Sequence, residues 1–69
     1  MINENLLKGL LREHGDTLED YAKVIGKSIT TVQERLKQTK VFTHEELLKT
    51  KEHYKLSDER FLKIFFEKN

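Results

Sequence analysis

The sequence contains no cysteine, no proline and no tryptophan, and its three glycines are isolated. Without cysteine there is no disulfide staple and no thiolate metal site, which fits a reducing compartment. Without proline or glycine-rich runs nothing resembles a flexible linker. No apolar stretch approaches the ~20 residues of a membrane span. No basic, apolar and small-residue leader opens the chain, so a cytoplasmic location is expected. The 69 residues are expected to form one domain. A core of that size rarely supplies more than about 3–5 kcal/mol of net stability.

What is present is charge, interleaved with apolar residues at spacings of three and four. That is the helical period, and no stretch sustains period-two alternation. Thirteen basic side chains face twelve acidic ones, but not evenly. Residues 1–26 hold Lys8, Arg12 and Lys23 against Glu4, Glu13, Asp16, Glu19 and Asp20, a net of −2. Residues 27–40 hold Lys27, Arg35, Lys37 and Lys40 against Glu34, a net of +3. The remainder balances. A nucleic-acid binder usually carries a clear basic footprint, and this one is local and modest. A solvated helix face accounts for it equally well.

Five helices are predicted. The first covers residues 3–14, with Leu6, Leu7, Leu10 and Leu11 as one apolar stripe and Gly15 as its stop. The second opens at Thr17, whose hydroxyl can cap the first turn, with Asp20 suited to the positive end of the helix. Tyr21, Ala22 and Ile25 face inward. Ser28 caps a third helix over residues 29–38, which buries Val32 and Leu36. Residues 39–42 connect, with Phe42 buried. Thr43 and Glu46 form a capping box for a fourth helix over residues 44–55, with Leu47, Leu48 and Tyr54 inward. The fifth starts at Ser57 and contains Phe61, Leu62, Ile64, Phe65 and Phe66. Its apolar residues cover more than one face. Those left over either pack on the first helix or remain free for another chain.

The chain is organised around residues 17–37. Ala22, four before Gly26, supplies the small residue that a close helix crossing needs. Gly26 supplies a turn at positive φ without steric cost. Val32 and Leu36 supply the buried pair of the following helix. Two short helices joined in this way make a helix-turn-helix unit.

Catalytic and metal chemistry finds little support. Gly26-Lys27-Ser28 ends like a phosphate-binding loop, but the glycine expected five residues earlier is Tyr21, and a helix stands where a strand should precede. His44-Glu45 opens like a zinc-protease motif, but the histidine expected four residues on is Leu48. His14, His44 and His53 share no ligand spacing and read as surface histidines. The carboxylates are mostly interleaved with lysines on helix faces, where such pairs are weak. No nucleophile, base and orienting group can be matched, so neither an enzyme nor a cofactor, metal or small-molecule substrate is expected.

Thr17, Glu19, Asp20, Ala22, Ile25, Gly26, Ser28, Thr30, Thr31, Val32 and Leu36 resemble the small helix-turn-helix regulators of temperate bacteriophages, of the Cro and C1-repressor type. Phe42-Thr43, Glu46-Leu47, Leu56-Ser57-Asp58 and Ile64-Phe65-Phe66 extend the likeness over almost the whole chain. The resemblance implies an all-α, five-helix lambda-repressor-like domain in the cytoplasm of a bacterial host. It also implies that the front of the third helix enters the major groove. Candidate DNA contacts are then Ser28, Thr30, Thr31, Gln33, Arg35 and Lys37.

The chain departs from that pattern where the bases would be read. The family usually has a hydrogen-bonding side chain at the position of Ile29, and often glutamine at that of Leu18. Glu34 stands where a basic or small residue is common, and a phosphate would repel it. Base edges offer donors and acceptors, with the thymine methyl as the apolar exception. An exposed Leu18–Ile29 pair, rimmed by Glu19, Thr30, Gln33 and Glu34, reads as a protein-binding patch; the alternative is that Leu18 packs inside the second helix and Ile29 is tolerated at the edge. Its expected partner is a phage C1-type repressor, whose basic face would meet Glu34, Asp16, Glu19 and Asp20. The chain would then be an antirepressor that masks the repressor at a lysis–lysogeny switch. Direct operator binding, as by a Cro protein, alone or jointly with the repressor, is the alternative. An interaction domain of toxin–antitoxin or scaffold type is a third.

Overall fold

The computed structural model describes residues 2–37 and 41–66, which form five α-helices with no strand among them. They are α1 (Glu4–Glu13), α2 (Leu18–Ile25), α3 (Ile29–Leu36), α4 (His44–His53) and α5 (Asp58–Phe65). Each start is set by a short polar side chain. Asn3, Thr17, Ser28, Thr43 and Ser57 accept from the backbone N–H three residues on. Each thereby satisfies a donor that a helix end leaves unpaired. The predicted capping box at Thr43 is present, with the Thr43 N–H donating to Glu46 Oε1 at 2.9 Å. A second box closes at Thr17, whose N–H donates to Asp20 Oδ2 at 2.9 Å.

Three helix ends close in the same way, through a residue at positive φ. Gly15 (φ 69°), Gly26 (φ 71°) and Lys55 (φ 53°) end α1, α2 and α4. In each case two N–H groups fold back onto the last turn. Lys27 donates to Ala22 C=O at 2.9 Å and Gly26 to Lys23 C=O at 3.2 Å. Leu56 donates to Lys51 C=O at 3.0 Å and Lys55 to Glu52 C=O at 3.3 Å. This paired closure uses carbonyls the helix cannot satisfy itself. It also stops α4 at His53, two residues short of the predicted end. For α3, the predicted end at Gln38 lies outside the described residues, as do residues 39 and 40 of the connector.

The apolar core draws on α1, α2, α3, α5 and the segment after α4, and Leu47 of α4 packs against it. Leu7, Leu10 and Leu11 come from α1, Tyr21, Ala22 and Ile25 from α2, and Val32 and Leu36 from α3. Tyr54, Leu56, Ile64 and Phe65 complete it. α2 packs broadly against both α3 and α4, while α1 lies along α5. The Asn3 N–H donates to Ile64 C=O at 2.6 Å, and Arg60 pairs with Glu13, so α1 and α5 are tied at both ends of their contact.

Several inward assignments are corrected. Leu6 is exposed because Leu7, Leu10 and Leu11 fill the contact and Leu6 sits at the edge of the stripe. Leu48 is exposed because α4 turns the line of Glu46, Thr50 and Tyr54 inward, which places Leu48 on the far side. Phe42 is half-buried rather than buried, with its ring edge-on to Phe65 at 5.5 Å. On α5, Ile64 and Phe65 are buried, whereas Leu62 and Phe66 stay exposed although α1 lies alongside.

Lys55 takes a left-handed conformation that glycine adopts at little steric cost, at a penalty of about 1–2 kcal/mol for an L-residue. Lys55→Gly should therefore raise unfolding stability by about 1 kcal/mol in urea titration. Gly26→Ala should lower it by a similar amount.

Candidate interaction face on the second and third helices

α2 and α3 pack on one another across the tight turn at Gly26. Leu18 is the first residue of α2 and Ile29 the first of α3. Both are half-buried, and Leu18 packs on the rim of the core. The expected exposed apolar pair is therefore corrected to two partly covered side chains. Leu18 follows the cap Thr17 directly, and the capped first turn holds it against its neighbours.

On the same two helices Glu19, Thr30 and Gln33 are exposed, as is Lys37 just after α3, while Thr31 and Glu34 are half-buried. Ser28 and Thr31 are engaged with each other. Ser28 Oγ accepts from the Thr31 N–H at 3.2 Å and donates to Thr31 Oγ1 at 3.1 Å. Two acids expected to meet a partner are bonded internally instead. Asp16 Oδ2 accepts from the Tyr54 hydroxyl at 2.7 Å. Asp20 closes the Thr17 box, and the Thr17 N–H and hydroxyl hold its carboxyl below the usual carboxylate range.

Arg35, a candidate DNA contact, is engaged within the domain. Its guanidinium turns onto α4, with Nε donating to Glu46 Oε1 at 3.1 Å and Nη2 to Glu46 Oε2 at 3.2 Å. The two side chains are 12% and 1% exposed. This is the two-pronged geometry that suits arginine and carboxylate. Burial pushes the Glu46 carboxyl up. The Arg35 fork and the Thr43 N–H outweigh that and hold it below its ordinary value. Lys27 adds a weaker pull on Glu46 and on Glu45, whose main partner is Lys49 at 3.0 Å. The basic footprint of residues 27–40 is thus drawn down by the acidic first turn of α4. Lys40, which contributes to it in sequence, lies outside the described residues.

Glu46 is the first of three polar residues on the inward edge of α4. Thr50 Oγ1 donates to the Glu46 carbonyl at 2.9 Å, the local back-bond open to a mid-helix threonine. Its single proton is then committed, so the Tyr21 hydroxyl donates to Thr50 Oγ1 at 2.7 Å. Burial pushes the Tyr21 hydroxyl up to about 12. Tyr54, one turn further, donates to Asp16. His14 and His53, both exposed, sit edge-on to the Tyr54 ring at 4.9 and 4.7 Å. Among the described residues, no buried side-chain polar atom lacks a partner. None of these three cross-links was predicted. The available signal was the spacing of four that joins residues 46, 50 and 54.

Among the described residues, no three histidine or carboxylate side chains converge to hold a metal ion. No helix there is long and apolar enough to cross a membrane. No protein-family model matches the chain, and no curated protein or solved structure matches it either.

The folded Glu46 value lies below the 4.5 of a free glutamate. Its contribution to stability is therefore full above that pH and is lost as pH falls through the folded value. Urea midpoints should drop on acidification through this range, and Glu46→Gln should flatten the slope. Arg35→Ala should cost about 3–5 kcal/mol by leaving Glu46 buried and unpaired. Lys37→Ala should change stability by less than about 0.5 kcal/mol.

Proposed function

We propose that this chain is a transcription regulator of a temperate-phage switch, with α2 and α3 as its helix-turn-helix. In this reading it is an antirepressor in the bacterial cytoplasm, and it binds a C1-type repressor through Leu18, Glu19, Ile29, Thr30, Gln33 and Glu34. The observation that carries the reading is the position of Arg35. It is the one basic residue of α3, and it is engaged by Glu46. Duplex affinity rests heavily on cations that neutralise phosphates. A helix without an available cation, led by an isoleucine, is poorly equipped for that task. A half-buried isoleucine on a helix that also carries Thr30, Gln33 and Glu34 is better suited to another polypeptide. Apolar side chains in such a setting supply the binding energy, and polar ones at the rim set the register.

The second reading, a Cro-like operator binder, draws on Thr30, Gln33 and Lys37, which are exposed. Glutamine can read adenine in the major groove. That reading leaves Lys37, at the end of α3, as the principal phosphate contact.

A gel-shift assay separates the two. It uses the purified chain, a C1-type repressor of the same genome and operator duplex, singly and mixed. The chain alone should leave the duplex unshifted, and adding it should abolish or alter the repressor's shift. Ile29→Asp should weaken that effect by about 2 kcal/mol or more without changing the helical circular dichroism. Tight, sequence-specific binding by the chain alone would overturn the antirepressor reading. Lys37→Ala would then weaken binding and lower the salt slope by about 1.

A further inference from the structure

The Arg35–Glu46 pair has a consequence for how α3 is held. α3 packs most broadly on α2 and buries Val32 and Leu36 in the core. Apolar burial is non-directional, so by itself it leaves the rotation and sliding of a short helix loosely fixed. The fork from Arg35 to Glu46 adds a second, directional point of attachment. Its anchor is itself rigid. Glu46 is also the capping partner of Thr43, and its own carbonyl accepts from Thr50.

We propose that Arg35 and Glu46 are positioning residues that fix the orientation of α3, and with it the face of Ile29, Thr30 and Gln33. This holds whichever macromolecule that face takes, so its test needs no partner. A buried ion pair contributes little net stability over well-packed neutral residues, and its better-attested use is to select one arrangement. Orientation and stability should therefore separate when both charges are removed together. Glutamine at position 46 still accepts the Thr43 N–H, since either glutamate or glutamine completes a capping box. Methionine at position 35 keeps the apolar stem without the fork.

The experiment measures amide residual dipolar couplings and hydrogen exchange on the full chain. In the natural sequence, one alignment frame should fit α1 to α5. In the Arg35→Met/Glu46→Gln double variant, α1, α2, α4 and α5 should still share that frame, and α3 should not. Exchange within α3 should speed by ~10-fold or more while α1 and α2 change less. Arg35→Lys keeps the charge but not the fork, and it decides the matter if the double variant does not fold. Its couplings should deviate in α3 alone. A role in stability alone predicts that α3 keeps the common frame in every folded variant, and that result would overturn the proposal.

Discussion

The buried edge of α4 is polar, and the arrangement of the other helices follows from how that edge is satisfied. Glu46, Thr50 and Tyr54 recur at intervals of one turn and point to the interior. Each takes its partner from a different part of the chain: Arg35 on α3, Tyr21 on α2, and Asp16 in the turn between α1 and α2. An apolar edge would hold neighbours together without specifying where they sit, because burial is non-directional. Hydrogen bonds have preferred lengths and angles, so each of these contacts also fixes a register. Leaving one member without its partner strands a polar group away from water, which is the costly event in a small domain.

The same edge shapes the surface. Because Glu46 draws Arg35 inward and Glu45 sits near Lys27, much of the positive charge of residues 27–40 is offset by α4. Charge counted along the sequence therefore overstates the charge the folded surface presents. The face that remains combines hydroxyl, amide and carboxylate groups around a partly covered isoleucine. That composition, rather than a net charge, is what the proposed partner would meet.

Much of the fold was legible in the sequence because its signals are local. Thr17, Ser28, Thr43 and Ser57 cap helices within four residues of themselves, and Gly26 ends α2 by its own backbone freedom. The cores of α1 to α3 followed from spacings of three and four. The misplacement of Leu48 and the missed burial of Glu46 share one cause, the assumption that leucine points inward and glutamate outward. That rule put Leu48 in the core and left Glu46 as a surface cap. The pairing that reverses it spans 11 residues in sequence, and the Tyr21–Thr50 bond spans 29. No local pattern encodes contacts of that range. For the candidate face, the residue list was legible but its accessibility was not. Whether Arg35, Asp16 and Asp20 are available depends on Glu46, Tyr54 and Thr17.

The dependence of the whole arrangement on Arg35 and Glu46 is most directly tested by a double-mutant cycle in urea unfolding. It compares Arg35→Met, Glu46→Gln, both together and the natural chain. A mutually dependent pair predicts that each single change destabilises more than the double change does, with a coupling energy of about 2 kcal/mol or more. Additivity within about 0.5 kcal/mol would show two independent side chains and would contradict the account.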